Sequence, residues 1–343
     1  MTPVRSDSHP LACGPSPSQF ETALVSVAAS LDRESVASTI ARKSIANMSD
    51  ISFSIATPTL NSPDKLERRA GSVRGQNRVT LEHLVQSAQS SDGTPAWLSE
   101  QSGLLAVSEK DRGMYDAIHR AWTRSQGEIL SWLNSEEQYR LGTLTNVQAF
   151  FDAHPEVDVV FGDHIVADLQ GRPVALRREI PFRRIYATNS FINTASCSRF
   201  FRCSLRDQGL LTLGSSYRYC ADMDLIPRLA AAGKVIKRIS DYFTIFGIDG
   251  TNLSTQPKMT MEVEAIRKSN DAFRIGTMRQ LVLAGRRIDR LLGGGCRPRR
   301  VRCRYAVDET RKYIEFGAVN LGGRYGLDDL EGSSDSVHPT KPP

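Results

Sequence analysis

At 343 residues the chain is long enough to bury one large core with extensions, or two modest domains. Its hydrophobic share of 40% and charged share of 24% are ordinary for a globular protein. No apolar run approaches the length of a membrane span, the start MTPVRSDSHPLACGPSPSQF has no apolar core of a secretory signal, and the six cysteines form no CxxC pair beside a histidine cluster. Spanning and zinc-ribbon classes are therefore excluded, and the cysteines read as free thiols of a cytoplasmic protein. The net charge of +6 is mild but uneven: nine arginines between Arg279 and Arg304 face the single acid Asp289. That patch suits an anionic surface, or is a solvated helix face; nucleic acid is not expected as a partner.

In chain order, residues 1–50 read as a flexible segment with one possible helix at 21–45. ISFSIAT (51–57) reads as a first strand, and Leu66 and Val73 suggest a helix. LEHLVQS (81–87) and GLLAVSE (103–109) are the second and third strands. Met114, Ala117, Ile118, Ala121 and Trp122 recur at helical spacing, with Trp122 and Trp132 as core. EILSWL (128–133), a helix over 140–153 and VDVVFGD (157–163) follow. Gly171-Arg172-Pro173 marks a turn between antiparallel strands. DMDLIPRLAAAG reads as a helix stopped by Gly233, and KVIKRIS and YFTIFGI as two late strands. Strands alternating with helices imply an α/β fold with a mostly parallel sheet flanked by helices. The expected organisation is a domain at 51–255, a basic helical extension at 256–316 and a disordered tail at 317–343.

In such sheets ligands bind beyond the carboxyl ends of the strands. The segments there are Thr57–Asn61, Ser87–Thr94, Glu109–Gly113, Asn134–Glu137 and Gly162–His164, rich in polar, acidic and Gly residues. Each alone is weak, because acids also cap helices and Asp forms turns. Together they point to a phosphate or metal site.

These segments also carry a resemblance. SIATPTLN (54–61), SSDGT (90–94), EKDRGMYDAIHRAW (109–122), GEILSWLNSEE (127–137), HPEVDVVFGD (154–163), DMDLIPRLAAAGK (222–234) and FGIDGTNLS (246–254) resemble, in order and spacing, family 2 glycosyltransferases of the glycosyltransferase-A fold. The resemblance covers roughly 200 residues and implies a nucleotide diphosphate sugar donor, a saccharide or lipid-linked acceptor, and transfer to a hydroxyl with inversion. Carried over residue by residue, it implies Asp222 as the base. Thr57, Pro58, Asn61, Ser87, Asp92, Arg112, Asp116, Ser135 and Glu136 would line the donor pocket, and Glu137 with Asp249 would hold Mg²⁺ or Mn²⁺. Ser87 stands where the family has an aspartate, Glu136 and Glu137 where it has aspartates, and Asp249 where it has a histidine. Read from residue type alone, Glu136 and Glu137 are also helix N-terminal acids, Asp222 a cap, Asp92 and Asp249 turn formers, and Arg112 a solvated loop residue. Asp224 reads as structural. The alternative function is a catalytically silent nucleotide-sugar-binding or scaffolding homologue. A nucleotidyltransferase needs a Gly-rich basic loop after the first strand, which TPTLNSPDK lacks. The Arg-rich 279–304 segment, interleaved with Leu281, Val282, Ile288, Leu291 and Leu292, fits peripheral contact with anionic lipid.

Overall fold

The computed structural model describes residues 52–322 apart from 135, 169, 191, 193, 214–216, 249–257, 309 and 311. Phe53–Thr59 (β1) leads through Pro63–Arg74 (α1) to Leu81–Ser87 (β2), and Thr94–Glu100 (α2) carries the chain to Leu104–Ser108 (β3). Met114–Thr123 (α3) returns it to Ile129–Trp132 (β4). The helix starts are signalled locally. Pro63 opens α1, where its missing N–H costs nothing, and Gly113 enters α3 at φ 120°, a conformation that a Cβ disfavours. The four strands are parallel in the order β3-β2-β1-β4. Strand order thus reverses between β1 and β4, and that reversal opens a crevice at their carboxyl ends.

The second half is mixed. After Glu137–Tyr139 (β5) and Thr143–Ala153 (α4), Val159–Ala167 (β6) runs antiparallel to Pro173–Arg177 (β7) and to Arg199–Arg202 (β8), and parallel to Ile236–Gly247 (β9). β8 is also antiparallel to β4, which joins both halves into one 9-stranded sheet. Arg184–Asn189 (α5) and Cys203–Asp207 (α6) flank β8, and Ala221–Ala231 (α7) precedes β9.

Period-two alternation gives this sheet two cores. Ala56, Leu130, Trp132, Val159 and Phe201 pack on one face with Ile118 and Trp122 of α3 and Leu225 of α7. Phe53, Ile55, Ile129, Val160 and Phe200 face the other side, against Val73 of α1 and Leu144, Val147 and Phe151 of α4. Trp132 stacks on Phe201 at 5.8 Å and meets Trp122 edge-on at 5.3 Å, so both tryptophans are core.

Three expectations need correction. KVIKRIS and YFTIFGI are one strand, β9, whose ladder to β6 is broken by bulges rather than by a turn. Glu137 does not start a helix: it opens the short β5, paired antiparallel with β9 (Glu137 opposite Phe246). The segment 256–316 is only partly helical, with Met259–Ser269 (α8) and Gly276–Leu292 (α9) followed by an antiparallel ribbon, Arg299–Ala306 (β10) and Tyr313–Leu321 (β11). The ribbon therefore also occupies the first residues of the expected disordered tail. It is docked on the sheet: Gln138 Nε2 donates to the Ala306 carbonyl at 3.1 Å, and the Ala306 N–H donates to Gln138 Oε1 at 2.8 Å. Among the described residues no helix is long and apolar enough to cross a membrane, and Cys197, Cys203, Cys220, Cys296 and Cys303 are free thiols.

Candidate active site

A cleft of about 910 Å³ opens at the carboxyl edge of the sheet. Pro58 and Thr59 reach it from the end of β1, Ala88 from beyond β2, Asp111 from beyond β3, and Asn134, Glu136 and Glu137 from beyond β4. Tyr115 of α3, Arg199 of β8 and Asp222 of α7 complete the wall on the other side of the β1–β4 crevice.

Asp222 sits in the first turn of α7, where the helix dipole favours an anion. Its Oδ1 accepts a hydrogen bond from the Tyr115 hydroxyl at 2.7 Å, and Oδ2 lies 3.2 Å from Arg199 Nη2. Burial, then the neighbouring Asp222 charge, pushes the Tyr115 phenol well above its ordinary value, so it stays a donor. Arg199 is 1% exposed and is itself fixed by the Thr194 hydroxyl at 2.8 Å and the Asp222 carbonyl at 3.2 Å. The carboxylate is therefore held from two directions and still 16% exposed. Two residues on, Asp224 serves packing: it pairs with Arg228 at 2.6 Å and accepts from Asn270 Nδ2 at 2.9 Å.

The acidic loop is built differently. Glu136 pairs with Lys65 of α1 at 2.5 Å. Glu137 is 2% exposed and accepts from the Asn134 N–H at 2.6 Å, Asn134 Nδ2 at 3.1 Å and Ser196 Oγ at 3.2 Å. Arg69, one turn after Lys65, lies fully buried beneath the loop and donates to the Pro58 carbonyl at 3.1 Å. Burial lowers its guanidinium to about 10, opposed by Glu136 and Glu137. The backbone approach here is close: the Gly247 N–H donates to the Glu136 carbonyl at 2.7 Å, and a Cβ on Gly247 would stand 2.6 Å from Glu136 Cβ. Gly247→Ala is accordingly expected to push the acidic loop outward, weakening nucleoside diphosphate affinity by about tenfold and stability by about 1–3 kcal/mol. Titration calorimetry and urea unfolding read the two effects; a variant with wild-type affinity removes this contact from the site.

Burial pushes the Glu137 carboxyl up to about 7, and Glu179 likewise. The imidazoles of His83 and His164 are pushed down to about 3, by burial first and nearby arginines second. A carboxyl whose pKa rises on folding keeps its proton longer in the native state, so its stabilisation is lost as pH climbs from about 4.5 through about 7. The histidines act oppositely: stability is lost as pH falls from about 6.5 through about 3. The two pairs oppose each other where these windows overlap, and above about 6.5 only the carboxyls act. Urea midpoints are expected to fall from about pH 6.5 to about pH 8, and Glu137→Gln to flatten the fall by roughly half. A wild-type midpoint that rises over that interval contradicts the assignment.

Of the residues expected at the site, Pro58, Glu136, Glu137 and Asp222 line the cleft. Ser135 and Asp249 lie outside the described residues. The others are held elsewhere. Thr57 is fully buried with its Oγ1 2.9 Å from His83 Nε2. Ser87 is fully buried against Ser90 at 3.0 Å. Asn61, at φ 49°, ties the β1 and β2 loops together by donating its N–H to Ser90 Oγ at 3.1 Å and accepting from the Ser91 N–H at 2.9 Å. Asp92 makes an Asx turn onto the Thr94 N–H at 2.9 Å. Asp116 clamps Arg112 at 2.9 Å and Arg120 at 3.0 Å. Asp111 lies in the Glu109–Gly113 segment expected at this edge, whereas sequence reasoning did not single out Lys65, Tyr115 or Arg199. Lys65 alone carried a signal, since a cation in a helix's first turn opposes the dipole and needs another reason.

This constellation, an oriented carboxylate across a crevice from an acidic loop at a strand-order reversal, has a known setting. Residues 54–211 match the family described as Glycosyl transferase family 2. Those residues are a family 2 glycosyltransferase domain. The chain's fold matches that of S. aureus TarS 1-349 in complex with UDP-GlcNAc at a TM-score of 0.55 and 18% identity, over 71% of this chain and 73% of that one, which shows a shared glycosyltransferase-A type fold. The chain is 31% identical over 122 residues to a PGL/p-HBAD biosynthesis glycosyltransferase of Mycobacterium bovis, covering 33% of this chain and 47% of that protein. It is 35% identical over 89 residues to an uncharacterized glycosyltransferase of Mycobacterium tuberculosis, covering 25% and 34%. The chain thus matches between a third and a half of the length of these relatives.

Proposed function

We propose that the protein transfers a sugar from a nucleotide diphosphate donor to an acceptor hydroxyl with inversion at the anomeric carbon. The observation that carries this reading is the placement of Asp222 and the Glu136–Glu137 loop on the walls of one cleft. The acceptor oxygen attacks the anomeric carbon, the bond to the diphosphate oxygen breaks, and Asp222 takes the hydroxyl proton. Lys65 and the buried Arg69 supply positive charge beside the departing diphosphate. Pro58, Ala88 and Asp111 flank the nucleotide side, with Thr57, Asn61, Ser87 and Asp92 acting through the loops they brace rather than by contact.

Among the described residues no three His, Cys, Asp or Glu side chains are grouped to hold a metal ion, and Asp249 is not among them. The donors present nevertheless suit a hard cation: two adjacent carboxylates and the amide oxygen of Asn134, which is buried without a hydrogen-bond partner. Mg²⁺ or Mn²⁺ would be held by Glu136, Glu137 and Asn134, and when bound supplies charge neutralisation to the diphosphate. Calorimetry with uridine, thymidine and guanosine diphosphates, with and without Mn²⁺, tests the donor site. Tight binding of at least one is expected; absence of binding by all of them rejects the site.

The acceptor is proposed to be a saccharide or a lipid-linked glycan presented at an anionic membrane surface. Leu281, Ile288, Leu291 and Leu292 of α9 are exposed, with the exposed Arg287 among them, which supports peripheral contact through this helix. Flotation with anionic liposomes at low salt is the expected positive, and equal recovery with neutral liposomes excludes the electrostatic part.

A further inference from the structure

The transfer chemistry above uses no group of α8, yet one face of this helix is bound to the turn that carries Asp222. Glu262, Ile266 and, just past the helix end, Asn270 recur four residues apart and so share that face. Ile266 is buried, and Asn270 Nδ2 donates to Asp224 Oδ1 at 2.9 Å. At the other end of the face, Glu262 receives consecutive backbone N–H groups. Its Oε1 accepts from Arg218 at 2.8 Å, and its Oε2 from Tyr219 at 2.8 Å and Cys220 at 3.2 Å. The Cys220 thiol also donates to Oε2 at 3.5 Å.

Successive N–H groups aimed at one point form a concavity suited to an anion, and a carboxylate seated there makes charge-assisted bonds. The need for it is local. Cys220 is the N-cap of α7 and makes no side-chain cap bond of its own, so the entry to α7 is fixed from α8 instead. Asp222 stands between the two anchors, two residues after Cys220 and two before Asp224. Arg218, Tyr219, Cys220, Asp222 and Met223 line the cleft, whereas Glu262 holds their backbone without lining it.

We infer that Glu262 is a positioning residue for transfer: by clamping the Arg218–Cys220 backbone it sets one wall of the cleft and the place from which Asp222 meets the acceptor hydroxyl. This role presupposes the transfer reading, with Asp222 as base. Tyr115 and Arg199 orient the Asp222 side chain, and Glu262 fixes the backbone that leads into it. Without the clamp these N–H groups turn to water and the entry to α7 loosens; a displacement of about 1 Å at the reacting atoms costs about 100-fold in rate. Cys220 reports the clamp independently of catalysis. Burial first, then the hydrogen bond and the charge of Glu262, pushes its thiol up to about 12, and the thiolate is the form that alkylates.

The test compares wild type, Glu262→Ala, Glu262→Gln and Arg267→Ala as full chains. Arg267, on the same helix, instead pairs with Glu264 at 2.6 Å and donates to the Ser190 carbonyl at 3.1 Å. Three readouts are taken: nucleoside diphosphate release from a panel of nucleotide sugars, calorimetric affinity for the matching nucleoside diphosphate, and alkylation of Cys220 by iodoacetamide followed by peptide mass spectrometry. Glu262→Ala is expected to slow release at least about tenfold while affinity stays within about twofold. Its Cys220 should alkylate at least about tenfold faster. Glu262→Gln keeps one acceptor oxygen and should recover much of the turnover; if Glu262→Ala does not fold, Glu262→Gln should still show the same changes at a few-fold. Arg267→Ala should match wild type in all three. Wild-type release by Glu262→Ala, an equal loss in Arg267→Ala, or a loss of nucleoside diphosphate affinity that accounts for the slower release overturns the proposal. If wild type releases no nucleoside diphosphate, the transfer reading falls by itself, and the Cys220 alkylation rate still decides whether Glu262 holds the loop.

Discussion

Asp222→Asn is expected to lower turnover by about 10²–10⁴-fold while leaving nucleoside diphosphate affinity within about twofold of wild type. The substitution is nearly isosteric and removes the only property the mechanism asks of the residue, its capacity to take a proton. Tyr115 and Arg199 fix the side chain from two directions, at 2.7 Å and 3.2 Å, so the amide occupies the same place. The proposed donor contacts lie across the crevice on the Glu136 loop and are untouched. Steady-state kinetics with calorimetry separates the terms. A variant that keeps most of its turnover removes Asp222 from the base role, and one that loses donor binding instead makes it a structural acid.

Arg199→Met carries the second large expectation, a stability loss of about 3 kcal/mol together with a fall in turnover. Removing one partner of a buried ion pair typically costs about 3–5 kcal/mol, because the other charge is left uncompensated. Here the low end applies, since Asp222 keeps some contact with solvent. The loss also strands the Thr194 hydroxyl, which Arg199 now engages at 2.8 Å, and removes the guanidinium from the Trp132 ring 6.0 Å away. Arg199→Lys retains charge without the fork and should recover part of the stability but little of the turnover, because orientation of Asp222 depends on the planar geometry. Urea unfolding and kcat on the same samples check this; equal recovery of both by lysine would reduce Arg199 to a simple counter-charge.

The first half of the fold was legible because its signals are local and repeated. Apolar strands, a proline opening α1 and a glycine entering α3 fix the strand–helix units, and parallel pairing follows from them. β5 was not, because Glu137, Gln138 and Tyr139 show no strand pattern: their burial comes from pairing with a distant β9. The ribbon at β10 did carry a pattern. Val301, Cys303 and Tyr305 point inward and alternate with Arg300, Arg302 and Arg304, a period of two. The density of arginine made that stretch read as a charged helix.

The site was legible to the level of loops but not always of side chains. Thr57 and Ser87 lie at strand ends where a step of one or two residues decides which side chain meets the cleft; Thr59 and Ala88 meet it instead. Asp92 and Asp116 have the right chemistry, but their oxygens are spent on a turn and on two arginines. Arg199 had no signal in the sequence, since its partner Asp222 is 23 positions away and meets it only through the packing of α7 on β8.

The central claim is that one cleft unites donor, acceptor and base. The measurement that tests it most directly is release of nucleoside diphosphate across a panel of nucleotide sugars, made on wild type and Asp222→Asn in parallel. The account predicts release from at least one donor by the wild type, and a rate at least about 100-fold lower in the variant with the same donor bound. Donor binding with no release from any nucleotide sugar, or equal release by both proteins, would contradict it.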